Sequence, residues 1–377
     1  MNSKKFHGVK FDEATRSKLE LYRQYLLAWL SVFMNGRNRD YIENINVVDF
    51  FCGPGRDSEG TPGSPLIALK AASDALETSR ERLNSTVRVN FFFNDVDPAV
   101  ITQLRQCVSG YEFNRERIKV DFSCKPFVER YGQLASPDNG VLRRRHSANF
   151  LFIDQFGVKE VTQSIFENIQ RLPRTDFIFF VAASIVNRMP EHPNIKDKIP
   201  VLSDEEQEKL NGKNVVRVLA KAYKKWIISP SFHLGQFALR KQKSSNVNGL
   251  VFGSGNILGL DRFLHAAWAI SPIFGEANYS VDDANLNPNT PSLFPEENIP
   301  TRTKQFSRNL REEILTGHLK TNHEVYYFTV QEGFLPSHAR EVIVALRKEK
   351  AVTYGTFPIS YDCLRKPPEA LGLGGSK

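Results

Sequence analysis

Residues Ile45 to Phe51 form a continuous apolar run broken only by Asn46 and Asp49, and the run stops at Cys52-Gly53-Pro54-Gly55. A strand that is apolar on both faces must be covered on both faces, as in a parallel sheet flanked by helices. The way it ends narrows the choice further. Glycines at a strand-to-helix turn remove Cβ atoms and let the backbone approach a ligand, while a helix amino terminus with an acid beside it binds polar groups. Asp49 sits in the strand end and Cys52, Gly53 and Gly55 form the turn. A bare tight turn would use the same glycines but would not account for a buried strand ending in an acid.

The stretches around this run alternate. An amphipathic helix from Asp12 to about Phe33 is predicted from Tyr22, Leu26, Trp29 and Phe33 at helical spacing. After the Gly turn come a helix from about Ser64 to Arg82, a strand Val87 to Phe93, a helix Ala99 to Val108, a strand Ile118 to Phe122 and a helix near Phe127 to Leu134. Strands Phe150 to Asp154 and Asp176 to Ala183 follow, separated by a helix through Val161, Ile165 and Ile169. Such alternation predicts an α/β layered sheet with right-handed crossovers. A Pro-, Lys- and Asn-rich stretch, 187–203, reads as an insertion before a helix from Asp204 to Trp226. Phe232 to Leu239 and Gly249 to Ser254 then read as a hairpin. Five parallel strands closed by an antiparallel hairpin resemble the Rossmann-like sheet of class I methyltransferases, which implies S-adenosylmethionine as the cofactor.

In that frame the strand ends acquire roles. Asp49, Gly53 and Gly55, with Cys52, would hold the methionine end of the cofactor. Asp95, closing Phe91-Phe92-Phe93-Asn94-Asp95, would accept both ribose hydroxyls, because a carboxylate can take two hydrogen bonds. Asp97 precedes Pro98 and equally suits a helix cap. Ser123 or Asp121 at the third strand end would face the adenine, or serve structure alone. At the fourth strand end, Leu151-Phe152-Ile153-Asp154-Gln155-Phe156-Gly157, the acid could orient an exocyclic amine while Phe156 stacks on its ring; the alternative is that Asp154 caps the next helix and Phe156 lies in the core.

Four motifs carry a resemblance to a known family: D-F-F-C-G-P-G at Asp49 to Gly55, G-S-P-L-I-A-L at Gly63 to Leu69, D-Q-F-G at Asp154 to Gly157, and F-G-S-G-N-I-L-G-L-D-R-F-L from Phe252. Over most of residues 12 to 365 the chain resembles the three-Cys-motif partner (TcmP) family. That resemblance implies a methyltransferase-like fold and association with a separate protein bearing three cysteines of radical-SAM type. The D-Q-F-G site also resembles the D-P-F-G of tRNA guanine dimethyltransferases and, more loosely, the D-P-P-Y of amino-methylating enzymes. Here Gln155 replaces the proline, so the rigid dipeptide that would aim a backbone carbonyl is missing.

Composition bounds the partners. The chain has 377 residues and a formal net charge of +8, from 50 Lys plus Arg against 42 Asp plus Glu, a mild lean toward a polyanion. Arg217, Lys221 and Lys225 recur on one helix, Arg240, Lys241 and Lys243 close a strand, and Arg143-Arg144-Arg145-His146 form a block; each suits a phosphate or a solvated face. The four cysteines, Cys52, Cys107, Cys124 and Cys363, include no C-x-x-C pair, and no histidine has a second ligand at metal spacing, so no metal site is expected. The charged amino terminus and the lack of a stretch of ~18 apolar residues predict a cytoplasmic protein with no membrane association.

The expected organisation is a methyltransferase-like domain over 1–272, a linker at 273–302, a winged-helix-like unit at 303–365 and a flexible tail at 366–377. The winged-helix expectation rests on a helix Thr303 to Leu319, a strand Val325 to Val330, a helix Ser337 to Lys348 and a hairpin over Ala351 to Tyr361. The expected function is methyl transfer to an exocyclic amine of a nucleic acid. The competing expectation is a non-catalytic or cofactor-sensing subunit docking the three-cysteine protein.

Overall fold

In the computed structural model, residues 9–34, 42–78, 87–155, 157–188, 195, 198–241, 246–283 and 298–374 are described. Helix α1 (Glu13–Met34) precedes β1 (Asn44–Asp49), α2 (Ser64–Thr78), β2 (Arg88–Asn94), α3 (Pro98–Ser109), β3 (Ile118–Ser123) and α4 (Phe127–Leu134). The chain continues through β4 (Ser147–Ile153), α5 (Gln163–Gln170), β5 (Thr175–Val181), α6 (Ala183–Arg188), α7 (Asp204–Glu208) and α8 (Val215–Tyr223) to β6 (His233–Arg240), β7 (Val247–Ser254) and α9 (Ile257–Ile270). One sheet holds all seven strands in the order β3-β2-β1-β4-β5-β7-β6. β1 to β5 are parallel, and β7 runs antiparallel to β5 and β6. This is the Rossmann-like sheet of class I methyltransferases, as the alternation of elements predicts.

The apolar strands are covered on both faces. β4 is buried at every position, and β1 at all but its first. On one face α1 lays Tyr22, Tyr25 and Trp29 on the aromatic rows of β4 and β7, with Tyr22 4.4 Å from Phe152 and Tyr25 4.9 Å edge-on to Phe252, ring centroid to centroid. On the other, Phe166, Phe177, Phe179, Tyr223 and Phe232 form a second aromatic core under α5 and α8. Packing here is tight enough to require glycine. A Cβ on Gly253 would stand 2.3 Å from the buried Phe177 ring, which Phe166 and Phe232 hold in place. Gly253→Ala is expected to destabilise the fold by about 2 kcal/mol and to lower the calorimetric Tm. An unchanged Tm would show that the ring has room to move.

The remaining chain departs from expectation in three places. Val325 to Val330 lies in a helix, not a strand: α11 (Asn322–Gln331) follows α10 (Thr301–Leu315), and α12 (Pro336–Lys348) completes the set. The β-rich residues are overridden by a capping box, in which Thr321 accepts from the Glu324 amide and Glu324 returns to the Thr321 amide, and by burial of Val325, Tyr326, Thr329 and Val330 on one helical face. No hairpin closes within 351–361. β8 (Val352–Thr353) pairs instead with β9 (Gly372–Leu373), and Thr321 bridges Ala370, so residues expected in a free tail are held by the unit before them. Within the expected linker, Ala277 pairs with Ala238 on the outer edge of β6, bonded on either side through the Glu276 carbonyl and the Asn278 amide.

The last three helices join the core of the sheet. Trp268 of α9 donates to the Gly333 carbonyl at 3.1 Å and packs on Phe334 and His338, while Phe306 stacks on Phe334 at 4.0 Å. Among the described residues no helix is long and apolar enough to cross a membrane.

Candidate functional site

In an open parallel sheet the carboxyl ends of the strands form the ligand-binding edge. β1, β2 and β4 are neighbours, and Asp49 is level with Phe93 of β2 and Phe152 of β4. Asp49, Asp95 and Asp154 are therefore delivered to one edge from three strand ends. Asp49 is fully buried. Its Oδ2 accepts from the Ser64 hydroxyl at 2.6 Å at the start of α2, and its Oδ1 from the Phe51 amide at 3.2 Å. Burial pushes its carboxyl up to about 7; the Ser64 hydroxyl opposes this, and the charges of Asp154 and Asp95 add to the rise. Beside it the Tyr22 hydroxyl is buried without a hydrogen-bond partner, its ionisation pushed well up by burial and by the Asp49 charge.

Asp95 is buried at the start of the next turn. Its Oδ1 accepts from the Asp97 amide at 3.0 Å, and its Oδ2 faces the Gly53 amide at 3.4 Å, so one carboxylate ties the β2 turn to the Gly turn. Asp97 caps α3 through the Ala99 amide, the structural one of its two sequence readings. Ser123 is buried next to this turn and receives the Asp95 amide on its carbonyl at 3.3 Å.

The Gly turn divides its tasks in a way that the motif alone conceals. Gly53 has φ 62°, which a glycine adopts without strain. Gly55 has φ 90°, and its absent Cβ faces helix α3, where it would stand 2.9 Å from Leu104 Cδ1. The missing Cβ of Gly55 thus makes room for α3. Cys52 is also diverted: its thiol is in the core, and its amide is held by the Asn94 carbonyl at 3.0 Å. Beyond the turn, Asp57 organises the loop. It is buried, yet the amides of Phe11, Thr61 and Glu59 outweigh that burial and pull its carboxyl down to about 2.

At the fourth strand end Asp154 does not stand alone. Lys18 of α1 places its ammonium on Asp154 Oδ2 and lies 5.3 Å from the centre of the Phe180 ring. The sequence gives no sign of this pair: 136 positions separate Lys18 from Asp154, and no local pattern links them. Gln155, where the amino-methylating enzymes carry proline, is buried and bonded at both ends: Nε2 donates to the Phe180 carbonyl at 3.0 Å, and Oε1 accepts from the Glu160 amide at 2.8 Å. Side-chain bonds here hold the turn that a proline ring would stiffen. Asn94 plays a similar part, joining the Phe50 carbonyl to both backbone groups of Lys125. Phe156 lies outside the described residues.

The basic clusters are largely engaged elsewhere. Arg217 pairs with Glu276 and Asp282, and Lys225 with Glu206. Arg240 lies over Tyr279, and Lys241 pairs with Asp12 at 3.5 Å; Lys243 lies outside the described residues. The Arg143 to His146 block precedes β4 and so lies at the edge of the sheet opposite Asp154. Among the described residues no group of three or more His, Cys, Asp or Glu side chains could hold a metal ion.

The fold is that of a class I methyltransferase, and the acids gather at the edge where such folds bind ligands. No family model matches the chain. No curated protein sequence matches it. Solved structures similar to it include the O-methyltransferase from Bacillus cereus in complex with SAH, at 12% identity and a TM-score of 0.33, covering 62% of this chain and 80% of that one. Another is the O-methyltransferase TomG from Streptomyces achromogenes in complex with SAM, at 12% identity and a TM-score of 0.32, covering 65% and 92%. Loganic acid methyltransferase with SAH is similar at 11% identity and a TM-score of 0.30, covering 72% and 88%. With likeness at this level, the fold assignment rests on the chain's own strand order and directions.

Proposed function

We propose that this chain binds S-adenosylmethionine at the carboxyl edge of its sheet and transfers the methyl group to an exocyclic amine of a nucleic acid base. The observation that carries the reading is the convergence of Asp49, Asp95 and Asp154, close enough for Asp95 and Asp154 to raise the Asp49 carboxyl. The donor set suits the cofactor: a buried acid for the methionine ammonium, Asp95 for the ribose diol, and an unpartnered Tyr22 hydroxyl beside them. The cofactor supplies an electrophilic methyl group. The chain's task is orientation, with Asp154 accepting from the amine and Gln155 fixing the turn that carries it. With Arg217 and Lys225 ion-paired, the nucleic-acid reading rests on Asp154 rather than on a phosphate-tracking face.

Asp49 supplies the test. A carboxyl near pH 7 is raised above its value in an unfolded chain, so its protonated form adds stability that is full below about pH 4 and is lost as the pH rises through 7. An ammonium beside it favours the ionised form. Cofactor binding at pH 7 is therefore expected to release about half a proton, read calorimetrically from buffers of different ionisation enthalpy, and affinity is expected to rise between pH 6 and 8. Absence of binding would end the methyltransferase reading; binding with a flat pH profile would remove Asp49 from it.

One observation favours a second reading, a cofactor-sensing subunit that docks a three-cysteine protein of radical-SAM type: Lys18 sits on the acid that an acceptor would need. The three final helices and the β8–β9 pairing fit a winged-helix-like docking unit in either reading. Its last helix carries Arg340, Arg347 and Lys348 alongside Glu341, and Glu349 caps its end, with Arg347 over Tyr354 at 4.5 Å, a mixed surface poorly suited to gripping duplex DNA.

A further inference from the structure

A cavity of about 530 Å³ opens at the other edge of the sheet, where β5 begins and β7 ends. Asp49 closes β1 at the carboxyl edge, whereas the cavity is lined by Ile42, before β1 begins, and by Arg174 and Thr175 at the start of β5; its inner wall at Asp176 is level with Val47, two residues or about 7 Å behind Asp49 along the strands. The proposed transfer chemistry makes no use of this space. Its volume falls within the range of small-molecule sites, roughly 300 to 1,000 Å³.

Two features of its lining point to a ligand. The first is charge. Arg174 comes from the turn before β5, Arg262 from the second turn of α9 and Arg365 from the 3-10 turn Tyr361–Arg365 after β8. Three arginines from three distant stretches line one opening, unlike the solvated face of a single helix. Arg174 has φ 43°, a left-handed conformation that side-chain-bearing residues rarely adopt, and its Nε is anchored on the Ser147 carbonyl at 3.0 Å. Among the described lining residues the single acid is Asp176, which accepts from Tyr25 at 2.5 Å, and whose carboxyl burial pushes up to about 6 against the hydrogen bonds it receives. Asp362 balances Arg365 in part, at 3.3 Å. The opening remains positive.

The second feature is aromatic. Trp29 and Phe33 from α1, Phe232 from the segment before β6 and Tyr361 from the carboxyl-terminal unit all line the space. Planar walls suit a planar ring, and the guanidinium fork matches phosphate oxygens in pairs. The amino terminus of α9, capped by Asn256 on the Leu258 amide, adds a positive end at the same wall.

We propose that this cavity is a nucleotide site, with the base among the aromatic walls, the phosphate at Arg174, Arg262 and Arg365, and the bound molecule bridging the sheet to the carboxyl-terminal unit. The inference does not depend on the cofactor reading, because the cavity opens at the other edge and its lining shares no residue with the acids of the carboxyl edge.

Calorimetric titration of the full chain with GMP tests it, since guanine does not mimic the adenosine half of the cofactor. Saturable 1:1 binding with a Kd on the order of 10 µM is expected, unchanged by saturating S-adenosylhomocysteine or by Asp95→Ala. Arg262→Ala and Arg365→Ala should each weaken it tenfold or more; both side chains are exposed, on separate elements, so both variants should fold. Inorganic phosphate should bind at least tenfold more weakly than GMP. The proposal is overturned by absence of GMP binding, by binding that survives both arginine variants, by phosphate binding as tightly as GMP, or by loss of GMP binding in Asp95→Ala, which would place the nucleotide in the cofactor site.

Discussion

Asp95→Ala is expected to weaken S-adenosylmethionine binding by 100-fold or more while leaving the chain folded. Two ribose hydroxyls donating to one carboxylate make two charge-assisted hydrogen bonds, each worth about 1.5 to 3 kcal/mol, and a loss of about 3 kcal/mol already exceeds a factor of 100. The same substitution also releases the amides of Gly53 and Asp97, so the Gly turn keeps its backbone bond from Cys52 to Asn94 of β2 but loses the side-chain tie beside it. Asp95→Asn should fall between the two, keeping an acceptor but losing the charge. Calorimetry on wild type and both variants, with circular dichroism as the check on folding, measures this. An Asp95→Ala affinity within threefold of wild type would show that the ribose is held elsewhere.

The parts of this fold that the sequence displays are those fixed by short-range patterning. Strands buried on both faces must be mostly apolar, and that is visible in Ile45 to Phe51, where only Asn46 and Asp49 interrupt, and in Phe150 to Ile153, without any knowledge of their neighbours. Acids at the strand ends are visible for the same reason: a charge that interrupts or follows such a run stands out. What the sequence conceals are the cross-connections. Lys18 meets Asp154, Asn94 ties the ends of β1 and β2 to the segment after β3, and Gln155 bonds β5 and the following turn, all through contacts that only the folded topology creates. The packing of Gly55 on α3 is hidden in the same way, because Leu104 lies 49 positions away. Val325 to Val330 misled for the opposite reason. Its β-branched and aromatic residues state a local preference that a capping box and a shared buried face overrule. The β8–β9 pairing joins two residues to two across a Pro- and Gly-containing stretch, too short to leave a periodic signal.

Asp154→Asn separates the two functional readings. If Asp154 orients the acceptor amine, the neutral amide keeps the side-chain shape but offers a weaker acceptor, and it can turn its NH2 toward the amine. Turnover should then fall about 100-fold or more, in the range general for a lost positioning or proton-accepting group, while S-adenosylmethionine affinity stays within about threefold. Lys18 sharpens the test. Its side chain is 12% exposed and fixed between Asp154 and the Phe180 ring, so it holds the carboxylate in one orientation. As a positioning residue it should cost about tenfold in turnover when changed to Met, and Lys18→Met should cost nothing further in an Asp154→Asn background, because the group it positions is already gone. A plug would behave otherwise. If the ammonium only blocks the acid, Lys18→Met raises turnover or the affinity for the acceptor. If neither variant changes any methyl transfer, the Lys18–Asp154 pair is a structural closure of the edge, and the chain is left with cofactor binding as its role beside a partner.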